Sequence, residues 1–576
     1  MAYRLPAFLA VTALLCGPGI DTVSSANTQS ATRSDTGAVV QELNSQGKAT
    51  LQAAISAGSF PDLRWPNFSD YRGYVEKFYE SNGESLWWVK GMEPTPEAQQ
   101  MIALLLRADQ KGLSADDYDG PRWSDRLAKL KPATPLPTEA DAVGFDLALT
   151  VCAMRYISDL HIGKVNPKHF GFAFNNDDES KRKDLAEFLR DQVVNASDVA
   201  SVLAQVEPPY PGYQRTIHAL QTYLELAKKD DGEELPSTKK AIVPGDTYLG
   251  VPRLTRLLRL VGDLPADADV PSDQSIYEGV LVDAVKSFQR RLGRDPNGRI
   301  DAQTLADLNV PLSRRVRQMQ LTLERWRTLP DSYQKSPIVA NIPEFRLRAY
   351  DKDFKIGATM NVVVGKAYGG HDTPVFSDTM KYVIFRPYWE VPYSITKSEM
   401  LPHIVHDPNY LAEKGFEVVD NKQNVVSDGP VTPEVLGQLR AGKLYVRQKP
   451  GPKNALGLVK FIFPNSYNVY MHDTPASQLF AKSRRDFSHG CIRLERPVDL
   501  AAWVLRDKPG WTPESIRAAM NGSTTQQVTL AHPVPVLILY ATVIVLEDGV
   551  VHFYDDLYGH DAALDKALAK GYPYGW

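Results

Sequence analysis

The densest run of reactive side chains in this 576-residue chain is Ser488-His489-Gly490-Cys491-Ile492-Arg493, and fifteen residues separate Ser488 from an earlier histidine, His472. A thiol of ordinary pKa is only a few per cent ionised at neutral pH, so a nucleophilic cysteine needs a base or a positive field beside it. His472 is suited to be that base for Cys491. On a strand, Tyr470 and His472 point to the same side, which sets an aromatic wall beside the imidazole. Gly490 marks a turn running from Ser488 to Cys491, and successive N–H groups in such a turn can converge on an oxyanion. His489 either holds the loop by bonding a carbonyl or helps activate the thiol. Arg493 either binds a substrate carboxylate or ties the loop by a salt bridge. Tyr388, Trp389, Tyr470 and Asn454 are the candidates for lining a substrate groove.

These residues lie in a β-rich region. Stretches 338–350, 358–365, 381–387, 460–463 and 468–472 read as strands, with alternation as in Glu344-Phe345-Arg346-Leu347-Arg348. Between them, residues 397–445 lose the alternation and read as helices, expected as an inserted lid. The chain closes with a strand over 534–546, a turn at Asp548-Gly549, a strand over 550–554 and a helix near 562–570. Before the β-rich region, a helix runs through Val316, Met319, Leu323 and Trp326. Ahead of it, 252–312 carries a three-helix pattern, with Leu254, Leu257, Leu258 and Val261 on one face and Leu281, Ala284, Val285 and Phe288 on another. The region before that is mostly helical, and the charged stretch from Lys228 to Lys240 has the look of a hinge.

The catalytic string resembles the L,D-transpeptidase catalytic domain, whose motif is a first His, a gap of about 14 to 17 residues, then Ser/Thr-His-Gly-Cys. Arg386-Pro-Tyr-Trp-Glu-Val-Pro392, Asn454-Ala-Leu-Gly457 and Asp486-Phe-Ser-His-Gly490 resemble the large periplasmic branch of that family. The segments 279–289 and 297–305 are similar to a peptidoglycan-binding helical module. The resemblance implies a multidomain α+β protein with a scaffold domain at 41–235, the binding module at 246–312, a connecting helix at 313–335 and a catalytic domain at 336–576 with lid 397–445. It implies a periplasmic L,D-transpeptidase that forms 3→3 cross-links through a Cys491 thioester and is acylated by carbapenems. Its partners would be peptidoglycan stem peptides and glycan, with other cell-wall synthesis proteins as candidates. The same residues would serve an L,D-carboxypeptidase, and a non-catalytic wall-binding scaffold is a further alternative. No cofactor is expected. A zinc site built from Cys491, His472 and His489, or from His403 and His406, is the competing metal reading, and Gly490 beside Cys491 suits a turn better. Lys443, Arg447, Lys449, Lys453, Lys482, Arg484 and Arg485 either steer anionic stems or form a solvated face.

Composition agrees with an exported, folded chain. Lys and Arg total 65 against 69 Asp and Glu, a net charge of −4 that gives no electrostatic case for nucleic acid. A charged start followed by an apolar run of about 11 residues is too short to span a membrane. Residues 1–26 are therefore expected to be a cleaved signal peptide and 27–40 a linker, leaving no stable membrane span. Of three cysteines, Cys16 leaves with the signal, Cys152 falls in an apolar periodic stretch and reads as core, and Cys491 remains. Two lone thiols do not make a disulfide framework.

Overall fold

Thr138 caps the helix α1, Glu139–Ile162, through a reciprocal capping box with Asp141. Apolar residues surround nearly the whole of α1, so it is buried on all sides at the centre of the N-terminal helical region. Its Asp146 is kept inside by Tyr79 Oη at 2.7 Å and the Trp88 N–H at 2.6 Å. Cys152 is buried in the same helix, and desolvation pushes its thiol well above the ordinary range. The structure is a computed structural model that describes residues 43–132, 136–174 and 183–574, so the expected signal peptide and linker lie outside the described residues. Among the described residues no helix is long and apolar enough to cross a membrane.

A second helix, α2 (Pro211–Lys229), is followed by three short helices at the expected places: α3 (Val251–Leu260), α4 (Val280–Arg291) and α5 (Ala302–Leu308). Leu254, Leu257 and Leu258 bury against the face carrying Leu281, Ala284, Val285 and Phe288. The stretch 228–240 differs from a free hinge: Arg253 pairs with Asp230 at 2.8 Å and Asp231 at 2.9 Å, and Arg256 with Asp231 at 3.1 Å. Opposite charges strap it against α3. The connecting helix α6, Leu312–Arg327, packs on α2.

The strands that follow are β1 (Ile338–Asn341), β2 (Arg346–Tyr350), β3 (Ile356–Gly365), β4 (Phe376–Phe385), β5 (Trp389–Glu390), β6 (Phe416–Val419), β7 (Val425–Ser427), β8 (Tyr445–Gln448), β9 (Val459–Ile462), β10 (Met471–His472), β11 (Asp486–Ser488), β12 (Ile492–Leu494) and β13 (Gln526–Leu539). Nine of them form one sheet in the order β11-β3-β12-β10-β9-β4-β13-β1-β2. Because β2 pairs back onto β3, eight strands close into a barrel, which removes open edges. The strand expected over 338–350 is a hairpin, since Phe345 takes a positive φ of 54° and turns the chain. The one expected over 468–472 is shorter, because Asn468 at φ 55° still belongs to the preceding turn.

The stretch expected as a helical lid is broader and mixed. Helices lie at Leu401–His406 and Pro433–Arg440, and β5-β8-β6-β7 form a separate sheet with its own apolar core around Ile404, Leu411, Val418, Leu439 and Val446. All four residues of β6 are buried, so it lacks the alternation by which a half-exposed strand is read.

The barrel core, the α3–α5 module and α2 share one continuous cluster of buried side chains. Arg291 of α4 pairs with Asp263 and donates to the Val551 carbonyl at 3.2 Å. Asp263→Ala leaves that guanidinium buried without its carboxylate and should cost about 3–5 kcal/mol. In urea, the α3–α5 module and the barrel of this variant should unfold in one coincident transition at a lower midpoint. A separate early loss of helix with the barrel intact would contradict the shared core.

Candidate active site

The motif residues are placed by the parallel pairing of β10 with β12, in which Met471 faces Ile492 and His472 faces Arg493. Ile492 N–H bonds the Tyr470 carbonyl at 3.1 Å, extending the register to Tyr470 and Cys491. Met471 and Ile492 point into the barrel core. Tyr470, His472, Cys491 and Arg493 therefore share the opposite face. The row through His472 reads Ile384, Lys460, His472, Arg493, Val363 across five strands. The imidazole thus sits between a lysine and an arginine.

His472 is 4% exposed, and its Nδ1 lies 2.5 Å from the Asp473 carbonyl oxygen. A carbonyl only accepts, so Nδ1 carries the proton and Nε2 keeps the lone pair a base needs. Burial, then Arg493, push the imidazole pKa down to about 3, with Lys460 adding to the shift, while the Asp473 and Leu456 carbonyls favour the charged ring. Burial also raises the Cys491 thiol above its ordinary range, opposed by hydrogen bonds from the Tyr470 backbone and hydroxyl and by the charges of Arg493 and Lys460. The thiol itself donates to the Asn468 carbonyl at 3.7 Å. At neutral pH the thiol and the imidazole are therefore both neutral.

The turn before Cys491 is built differently from the expectation. Ser488 is buried; its hydroxyl donates to the Cys491 carbonyl at 2.5 Å and accepts the Gly490 N–H at 3.1 Å. The Gly490 N–H is consequently committed, and the Cys491 N–H is the group that no described residue takes up. Gly490 has φ +114°, a conformation side chains resist, and its carbonyl is held by Thr373 Oγ1 at 2.8 Å. His489 donates from Nε2 to Glu399 Oε1 of the insertion at 2.6 Å and meets the His371 ring edge-on at 4.5 Å. It tethers the insertion to the motif.

Among the groove candidates, Tyr470 is paired in register beside Cys491, with its ring 5.8 Å from that of His472. Trp389 packs on the insertion core near Phe416. Tyr388 is exposed beneath the Arg447 guanidinium, 4.3 Å from its ring. Asn454 is corrected to a structural role. It is 1% exposed, its amide donates to the Pro387 and Lys449 carbonyls at 3.0 Å, and its oxygen accepts Leu456 N–H at 2.8 Å. Gly457, three residues on, has φ +61°, and a Cβ there would lie 2.4 Å from the Asp473 side chain. That segment brings Asp473, and with it the Asp473 carbonyl, close to His472. Arg493 forms no ion pair among the described residues, so the salt-bridge reading of it falls away. Among the described residues no three His, Cys, Asp or Glu side chains group to hold a metal ion.

Sequence reasoning missed Lys460, Asn465 and Thr373. Lys460 was signalled by its outward position in Val459-Lys460-Phe461. Asn465 folds the turn that presents the Asn468 carbonyl, accepting the Tyr467 and Val469 N–H groups at 3.0 and 3.2 Å. Nothing local in sequence marks Thr373.

Residues 336–530 match the YkuD family, described as the L,D-transpeptidase catalytic domain, and 73–220 match the Scaffold domain. A Haemophilus influenzae protein named "Putative L,D-transpeptidase" is 30% identical over 250 residues, 43% of this chain and 49% of that protein. The match thus spans about half the relative's length. A crystal structure of an L,D-transpeptidase (residues 123-326) from Xylanimonas cellulosilytica aligns over 53% of this chain and 100% of its own at 13% identity, with a TM-score of 0.16. Residues 336–530 are thus similar to the L,D-transpeptidase catalytic domain and 73–220 to the Scaffold domain, in a mixed α+β architecture.

The neutral resting pair has a measurable signature. Iodoacetamide labelling of Cys491, read on its own peptide, should rise about tenfold per pH unit from pH 6 to 8, as only the thiolate reacts. It should show no step at the ordinary imidazole pKa. A rate independent of pH across that range would mean a preformed thiolate–imidazolium pair.

Proposed function

We propose that this protein is an L,D-transpeptidase acting on peptidoglycan. Cys491 attacks the carbonyl of the third residue of a tetrapeptide donor stem, diaminopimelate by resemblance to the family. The thiol proton passes to His472 as the C–S bond forms, and then to the departing amine, releasing D-alanine and leaving a thioester. The side-chain amine of a second stem attacks the thioester, the thiol regains its proton, and a 3→3 cross-link results. The observation that carries this reading is the shared face: Cys491, its uncommitted N–H for the oxyanion, the Tyr470 hydroxyl and a histidine whose Nδ1–H is fixed by Asp473. Lys460 and Arg493 add two cations to that face, suited to the carboxylates of stem peptides. The reading places the enzyme in the periplasm after removal of residues 1–26, and the α3–α5 module as its hold on the glycan.

Cys491→Ala should abolish cross-linking by purified enzyme given tetrapeptide muropeptides, with thermal stability unchanged. His472→Ala should cost about 10²-fold or more, partly recovered at higher pH as thiolate forms unaided. Turnover in Cys491→Ala comparable to the parent sinks the mechanism, and a flat pH response in His472→Ala would make that residue structural.

Product analysis separates transpeptidase from carboxypeptidase. Water is present at roughly 55 M, so an amine wins only where binding raises its effective concentration and limits solvent. The insertion is placed to do this, tied over the motif through Glu399 and His489. Cross-linked dimer should dominate, and Glu399→Ala should raise the fraction of hydrolysed tripeptide. Tripeptide as almost the only product from the parent enzyme, with ample acceptor, would assign it as an L,D-carboxypeptidase.

A further inference from the structure

A cavity of about 420 Å³ lies between the helices α2 and α6 and the barrel strands β1, β2 and β13, away from the Cys491 face. Its volume is that of a small-molecule site. Three residues of α6, Thr322, Arg325 and Trp326, line it at spacings of three and four, so one face of the helix is given over to it, and Leu329 follows just past the helix end. Trp326, Tyr333 and Phe354 form an aromatic wall, with Tyr333 5.7 Å from Trp326 and 5.4 Å from Phe354, and Val339 and Leu539 close the aliphatic side. Such walls require an apolar body.

The polar groups inside are cationic and incompletely used. Arg325 is 9% exposed and pairs with Asp561 through Nη1, but its Nε and Nη2 are buried with no partner among the described residues, as is Thr322 Oγ1. Arg215 reaches in from α2, its Nε donating only to the Val545 carbonyl at 3.0 Å. Buried guanidinium N–H groups without acceptors are costly, and an anionic oxygen is the acceptor that relieves them best. The carboxylates that line the cavity, Asp353, Glu547 and Asp548, are all exposed. They disfavour a ligand bearing several negative charges.

We propose that this cavity binds a small amphipathic monocarboxylate, its carboxylate on Arg325 and its alkyl or aryl body against the Trp326–Phe354 wall. A cation is excluded by Arg215 and Arg325, and a polyanion by the acidic residues. The site is independent of the proposed transpeptidase chemistry, since none of its residues belongs to the Cys491 face.

The test is calorimetric titration of the full chain with octanoate, octan-1-ol and octylammonium. Octanoate should bind saturably at one site, at least about tenfold tighter than octanol, the scale of a charge-assisted bond, with octylammonium silent. Arg325→Lys, which keeps a cation for Asp561 but removes the free guanidinium donors, should weaken octanoate by about tenfold. Ile544→Trp, which fills the cavity from its wall, should abolish binding. Circular dichroism melts report whether each variant folds. If neither does, the selectivity among the three probes on the parent chain decides. Absence of saturable octanoate binding, equal binding of octylammonium, or octanoate binding unchanged in folded variants overturns the proposal.

Discussion

Everything proposed for the reactive centre depends on the register between β10 and β12. Because side chains alternate along a strand, pairing His472 with Arg493 puts Tyr470, His472, Cys491 and Arg493 on one face and Met471 and Ile492 in the core. A slip of β12 by one residue would bury the thiol among apolar side chains and expose Ile492. The apolar cost of that exchange fixes the register. Barrel closure then holds both strands between neighbours, β9 on one side and β3 on the other.

The electrostatics follow from the same row. Lys460 and Arg493 flank the imidazole, so burial and two cations keep His472 neutral and available as a base. The same cations favour the thiolate, yet desolvation outweighs them and the thiol rests protonated. In the proposed reaction, proton transfer and attack on a carbonyl would thereby be coupled: ionising the thiol ahead of attack gains little, and the imidazolium would be stabilised by the Asp473 and Leu456 carbonyls. The insertion adds a second constraint from outside, through Glu399 on His489.

Chemistry was more legible in the sequence than architecture. Ser488 to Arg493 is contiguous, and His472 lies one strand away, so residue types and spacing were enough to select them. The α3–α5 helices were legible because an amphipathic repeat is local. Barrel closure was not, since β12 lying against β3 and β13 lying between β1 and β4 are long-range pairings with no local sign. The insertion's sheet was hidden because Phe416 to Val419 are buried on both faces. Asn454 was misjudged because a polar side chain between aromatic segments suggests a groove, whereas here it satisfies backbone carbonyls that burial would otherwise leave unpaired. Ser488 and Gly490 were singled out correctly as a turn. That the serine hydroxyl consumes the Gly490 N–H depends on a three-dimensional contact that spacing does not specify.

The central claim is that the β10–β12 register aims Cys491 as the nucleophile of acyl transfer. Incubating the enzyme with a tetrapeptide stem donor and no acceptor, quenching in acid and sequencing the modified peptide by mass spectrometry tests it most directly. One acyl group in thioester linkage on Cys491, sensitive to hydroxylamine, is the predicted result. Release of D-alanine with no acyl group on Cys491, or with the acyl group on another residue, would contradict it.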